Sequence, residues 1–183
     1  MNGQVFPTKE KSELTESMQQ IYENSLERRG EAKFIGAMAH SPDLLDWYMD
    51  DFYKKLFYGG CVPIIYKELG RLRLSQVHGC RSCNRGNRLD ATSAGLPPEK
   101  IASIAYGDHP VFNAADQAVI KLADLMSLHA HGARLSQSLY EQLLAHFSEG
   151  QILELSMVFS FLSGMAHFLF AFDMVEREAS CAL

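Results

Sequence analysis

The chain has 183 residues, 47% of them hydrophobic, which is enough apolar surface for a single core. A formal net charge of -5 gives no electrostatic reason to expect nucleic acid as a partner, and four cysteines are too few for a disulfide scaffold. The opening run MNGQVFPTKEKSELT lacks the apolar stretch of a signal peptide, so the chain reads as cytoplasmic and its thiols as held in a reducing compartment.

Residues 10–29 are polar and helical in composition and stop at Gly30. Ser41-Pro42-Asp43 is a helix start: a capping residue, a proline at the first helical position and an acid in the first turn. The helix it opens, LLDWYMDDFYKKLF, should stop at Gly59-Gly60. Pro63 opens the next one, which closes at Gly79, and another runs from the cysteines to Ala94 with Gly95 behind it. Pro97-Pro98-Glu99 starts a short helix ending near Tyr106. Asn113 caps one reaching about His129, and Ser136 caps one reaching about Phe147. Ser148 and Gln151 form a capping box ahead of a long apolar helix. Strand signals are weak, and about eight helices with short connections predict an all-α multi-helix bundle over 1–183, with a helical extension at 1–40 before a core at 41–183.

From Leu155 to Phe172 no residue carries a formal charge, a length that reaches the threshold for a membrane span. Ser156, Ser160, Ser163, Gly164 and His167 lie within it, Glu154 and Asp173 bound it, and no basic cluster flanks it. A helix apolar all round is also what a core or subunit-interface element looks like, so the expectation is no membrane and a homo-oligomer.

The chemistry centres on Cys80 and Cys83. Gly79 ends one helix and Cys80 begins the next, so both thiols sit in a first turn, where free N–H groups and the helix dipole favour a thiolate. Arg81 and Arg85 add positive potential, and the i, i+3 spacing puts the two sulfurs within disulfide reach. A zinc reading would need His78, Cys80 and Cys83 with His129 or His131; the chain has no second Cys-x-x-Cys to support it. Glu68, about three turns before Gly79, should come level with Asn87 if the two helices form an antiparallel hairpin. A carboxylate there would serve a thiol as base; the plainer alternative is a surface pair with Arg71 on its own helix. Cys61 reads as a buried thiol and Cys181 as a tail thiol.

The run from Lys67 to Ile104 resembles the carboxymuconolactone decarboxylase superfamily in its alkyl hydroperoxidase D-like branch. Glu68 stands twelve positions before Cys80, Cys83 completes the pair, and Ala91, Gly95, Leu96, Glu99 and Ile101 match the segment that follows. The later apolar stretches are similar to the family's C-terminal helices, and residues 43–59 fit its longer, peroxidase-related members. The resemblance implies an oligomeric all-α fold and a thiol-dependent hydroperoxide reductase, with a hydroperoxide as substrate and a dithiol, of the kind a partner protein can carry, as reductant. It implies no metal and no organic cofactor. Cys83 would attack the peroxide, Cys80 would resolve the sulfenic acid, and Glu68 would act as base. Asn87 stands where the family carries a histidine, and an amide cannot relay a proton near neutral pH. The alternatives are a dithiol oxidoreductase or redox-sensing module with little peroxide turnover, and a cofactor-free lyase.

Overall fold

The structure is a computed structural model that describes residues 5–178; among these it forms nine α-helices and no β-strand. Helix α1 (Glu16–Arg29) starts later than its composition predicts, because the Thr15 hydroxyl accepts from the Met18 N–H and sets the cap there. Helices α2 (Lys33–Met38) and α3 (Pro42–Trp47) follow; Pro42 takes the first helical position, while the Ser41 side chain makes no capping bond. Next come α4 (Ile64–His78), α5 (Arg81–Ser93), α6 (Pro98–Ser103), α7 (Ala114–Leu125), α8 (Gln137–Leu144) and α9 (Glu149–Ala171). The capping boxes Asn113/Asp116 and Ser148/Gln151 open α7 and α9. Helices α6, α7 and α8 end three or four residues before the expected points, each in turns.

Between α3 and α4 the chain departs from the expected α-helix and widens into a π-helix over Tyr48–Tyr58. The sequence has the matching period: Trp47-Tyr48, Phe52-Tyr53 and Phe57-Tyr58 recur every five residues. An i→i+5 helix aligns that period on one face, whereas an α-helix would scatter it. Ring centroids of Tyr48 and Tyr53 lie 5.1 Å apart, Tyr53 and Tyr58 6.0 Å, and Phe52 and Phe57 6.2 Å. Phe161 of α9 packs on Phe52 at 4.0 Å. The wholly buried Lys67 closes the segment by donating to the carbonyls of Leu56 (2.8 Å) and Phe57 (2.9 Å), and it pairs with Glu154 of α9 at 2.5 Å.

Helix α4 is the hub, packed against α5, α7 and α9. Gly70 permits the α9 contact: a Cβ there would lie 2.0 Å from the Phe159 ring. A second, smaller cluster around Met18, Ile35 and Leu45 joins the N-terminal helices, and Tyr48 packs against both clusters. Helix α9 is long and apolar enough to cross a membrane, and 33% of its most apolar window is buried. One face, including Leu155, Val158 and Phe159, lies in the core; Leu153 and Met157 on another face are each 65% exposed.

Candidate active site

Gly79, at φ +65°, ends α4 in the left-handed conformation that a side chain would strain, and the N–H groups of Gly79 and Cys80 return to the carbonyls of Gln76 and Ser75. Cys80 is thereby delivered as the N-cap of α5, its sulfur accepting from the Cys83 N–H at 3.3 Å. Cys80 and Cys83 are joined as a disulfide. The two sulfurs differ in access: Cys80 is 1% exposed, while Cys83 is half-buried. A thiolate released at Cys80 would sit on a helix-start N–H, which favours it as a leaving group.

A C-terminal strap, unanticipated from sequence, holds this turn. The Arg81 N–H donates to the Glu176 carbonyl (3.0 Å), the Glu178 N–H to the Gly79 carbonyl (2.8 Å), and the Asn84 amide to the Glu178 carboxylate (2.7 Å). Cys80 and Arg177 form an isolated antiparallel bridge. Arg81 pairs with Glu176 at 2.9 Å and Arg85 donates to the Glu27 carbonyl at 3.1 Å, so both arginines are drawn to acceptors other than the sulfurs.

From the disulfide a cavity of about 360 Å³ extends between α4, α5, α9 and the π-helix. Tyr48, Tyr53 and Tyr58 give it an aromatic wall, Met165 and Leu169 line it with apolar surface, and Arg28, Arg29 and Arg71 bring positive charge to it. Burial pushes the Tyr48 and Tyr58 phenols above their ordinary value, so both stay neutral donors.

Glu68 is buried on α4, as is Asn87 on α5, but no hydrogen bond joins them. Arg71 lies between. Its Nε and Nη2 donate to the Glu68 carboxylate at 2.9 and 2.6 Å, its Nη2 also reaches Asp90 at 2.8 Å, and the Asn87 amide faces the Arg71 carbonyl at 3.5 Å. The expected direct approach of Glu68 to Asn87 is therefore replaced by an ion cluster, and the pair with Arg71 is buried instead of on the surface. Burial raises the Glu68 pKa, with Arg71 opposing. Burial also works against the Arg71 charge, but Tyr53, Glu68, Tyr58 and Asp90 outweigh it and keep the guanidinium protonated.

His78, beside the cysteines, is buried and accepts from the Leu128 N–H through Nε2 at 3.1 Å. Burial and then His129 lower its pKa to about 4, so it is neutral at physiological pH. No three His, Cys, Asp or Glu side chains converge as a metal-ligand set among the described residues. Cys61 is exposed, correcting the expectation of a buried thiol, and its sulfur donates to Glu154 at 2.9 Å, which raises the thiol pKa. Cys181 lies outside the described residues. Sequence reasoning also missed Glu31, in the link between α1 and α2, which borders the cavity on the disulfide side. No spacing signal marks it; only Gly30, at φ +84°, hints that the link is sharply turned.

No protein-family model matches the sequence, and no curated protein matches it. Solved structures do. Against the debrominase Bmp8 without ligand the TM-score is 0.76 at 17% identity, covering 98% of this chain and 95% of that one. A cysteine-to-alanine variant of Bmp8 in complex with 2,3,4-tribromopyrrole gives 0.75 at 18%, covering 98% and 94%. An uncharacterized peroxidase-related protein from Silicibacter sp. gives 0.73 at 17%, covering 96% and 91%. An uncharacterized peroxidase-related protein from Ralstonia eutropha, described as an alkylhydroperoxidase AhpD core, gives 0.69 at 15%, covering 96% and 92%. At these identities the likeness is one of fold.

Proposed function

We propose that this chain, which has the alkyl hydroperoxidase D-like fold, is a dithiol oxidoreductase that reduces an organic hydroperoxide with Cys83 and Cys80. The observation that carries this reading is a Cys-x-x-Cys disulfide whose more accessible sulfur opens onto a cavity of about 360 Å³ with an aromatic wall. Such a volume suits an organic ligand better than hydrogen peroxide. The Cys83 thiolate attacks the distal peroxide oxygen, the O–O bond breaks, and with one proton the products are ROH and Cys83 sulfenic acid. The Cys80 thiol then displaces the hydroxyl as water and forms the disulfide, and a dithiol donor restores the pair by exchange.

The test exposes reduced protein to one equivalent of cumene hydroperoxide or of hydrogen peroxide and measures disulfide formation by mass and peroxide loss by assay. Stoichiometric disulfide with faster consumption of the cumene compound supports the proposal. A reduced pair that survives both peroxides overturns it.

A second reading is favoured by the same cavity and by the likeness to Bmp8. The dithiol would reduce a halogenated aromatic: Ar–Br + 2 thiols → Ar–H + disulfide + HBr. Bromide release from a brominated pyrrole, without peroxide turnover, distinguishes it.

The assembly is proposed to be a homo-oligomer of this chain. Leu153, Met157, Ser160, Gly164 and His167 are all exposed and recur at four- and three-residue spacing along one face of α9, a seam that a second copy can cover. Light scattering at micromolar concentration should show a species larger than 20.5 kDa.

A further inference from the structure

The carboxyl group that the family resemblance would offer as base is engaged by Arg71, which leaves open how protons reach the disulfide. Glu31 is placed for that task. Its backbone is fixed by the Ser25 hydroxyl, which donates to the Glu31 carbonyl at 2.7 Å, and by the left-handed turn at Gly30. Its Oε1 is shut off from solvent and has no hydrogen-bond partner among the described residues. The other charged groups around it are Lys33 on its own segment, Glu176 on the C-terminal strap, and Arg29, Arg81 and Arg85, which share a cleft of about 240 Å³ with it. Each arginine is turned to another acceptor: Arg81 to Glu176, Arg85 to the Glu27 carbonyl, and Arg29 to Asp90 at 3.7 Å. Glu31 is half-buried, and a carboxylate with one oxygen shut off from water and unpartnered holds its proton more tightly than a solvated one. Burial is the leading cause of its raised pKa; the neighbouring Ser82 hydroxyl, Lys33 and the Glu176 backbone partly offset it, and the Glu176 charge adds to it.

Ser82 connects this carboxyl to the sulfur chemistry. It is buried between the two cysteines in sequence, its hydroxyl lies alongside Glu31, and its Oγ is 3.8 Å from the Cys80 Sγ. We propose that Glu31, acting through the Ser82 hydroxyl, donates the proton to Cys80 when the disulfide opens and takes it back when the disulfide forms. The inference rests on the reading of Cys80–Cys83 as a redox pair but not on the identity of the oxidant.

On reduction, a donor thiolate attacks the accessible Cys83 sulfur. A new S–S bond forms to the donor, the Cys80–Cys83 bond breaks, and Cys80 leaves with the electron pair. The Ser82 proton passes to Cys80 and the Glu31 proton to Ser82, leaving a Glu31 carboxylate. A second donor thiol then displaces Cys83 and completes the oxidation of the donor to its disulfide. On reoxidation through a Cys83 sulfenic acid the relay runs backwards: the Cys80 proton passes through Ser82 to Glu31, the sulfur attacks Cys83, and the departing hydroxide is protonated by solvent. Glu31 is thus a positioning residue for the proton, placed by a helix-to-helix link instead of by the helix that carries Glu68.

The test measures reduction of the Cys80–Cys83 disulfide by dithiothreitol from pH 5 to 8.5 with acid quench and alkylation, for wild type, Glu31→Gln, Glu31→Asp and Ser82→Ala, each checked by thermal unfolding. The rate constant is expressed per dithiothreitol thiolate. In wild type it should rise as pH falls, standing about tenfold above Glu31→Gln at pH 5 and converging with it at pH 8.5, a modest share of what a directly placed acid supplies. Ser82→Ala should follow Glu31→Gln, and Glu31→Asp should keep part of the rise. Superimposed wild-type and Glu31→Gln profiles would overturn the proposal, as would a uniform slowing at every pH. Should Glu31→Gln fail to fold, Ser82→Ala decides alone by the same two outcomes. Because dithiothreitol replaces every natural partner, a protein inert to peroxides still yields this result.

Discussion

Glu68 is fully and Glu31 partly withdrawn from water near the cavity, and their charged partners differ. Glu68 stands on the hub helix, 1% exposed, with two guanidinium nitrogens of Arg71 on its carboxylate. Glu31 stands on a connecting link, has arginines on several sides, and pairs with none of them among the described residues. Burial raises the pKa of both carboxyls, but at Glu68 two guanidinium bonds oppose it and fix the group in place, whereas Glu31 meets the Ser82 hydroxyl and, among the described residues, no paired cation. Position in a motif nominates a carboxyl, whereas its partners decide what it can do.

The comparison can be tested at several strengths. The largest effect concerns the sulfurs that both regions frame. Cys83→Ser should reduce peroxide-driven oxidation to background, and Cys80→Ser should react once and leave a sulfenic acid on Cys83 that dimedone traps. A dimedone adduct on Cys80 in the Cys83→Ser protein would reverse the roles.

Next in size is Arg71→Met, which leaves Glu68 buried without its cation and should cost about 3–5 kcal/mol in denaturant unfolding. Glu31→Gln removes no ion pair and should change stability by no more than about 1 kcal/mol. Equal costs for the two variants would collapse the distinction drawn above.

A third measurement uses pH. His78, at the disulfide end, has a folded pKa of about 4 against an ordinary 6.5, because burial and His129 oppose its charge. Between those values the unfolded chain binds a proton that the native protein does not, so its contribution is present above pH 6.5 and is lost as pH falls toward 4. The loss should amount to about 3 kcal/mol in order of magnitude. His78→Gln should flatten that slope in urea titrations at pH 4.5 and 7, and an unchanged slope would place the acid sensitivity elsewhere.

The smallest expected effect is at Asn87. Because Arg71 occupies Glu68, an imidazole introduced by Asn87→His finds no free carboxylate to orient it. The rate of Cys83 oxidation in stopped flow should change by less than about twofold, against the far larger factor typical of a positioned acid–base group. A gain of tenfold or more would mean that Glu68 can leave Arg71 and relay protons.

Much of the fold is legible in one dimension because the signals are local. Gly30, Gly79 and Gly95 each mark the end of a helix and each adopts a positive φ, and the two capping boxes need only residues three apart. The cysteine pair was legible for the same reason: a glycine stop followed by Cys-x-x-Cys places both sulfurs in one first turn whatever surrounds them. The five-residue aromatic period from Trp47 to Tyr58 was also present, but it announces a π-helix only if one looks for i→i+5 repeats in place of helix stops.

Other features depend on residues far apart in the chain. Arg71 lies three residues from Glu68, but its bond to Asp90 spans nineteen, and that second contact together with burial turns an ordinary helix pair into a fixed cluster. The strap over the disulfide joins residues 79–84 to residues 176–178. Glu31 meets Ser82 only because α1 folds back on α5. By itself the sequence determined the glycine-marked helix ends, the two capping boxes and the placing of the cysteine pair in one first turn, since these obey spacing rules satisfied within a few residues. Only the tertiary structure decided which carboxyl is paired, which sulfur is accessible and what shape of cavity faces it, since charge pairing and exclusion of water are properties of neighbours in space.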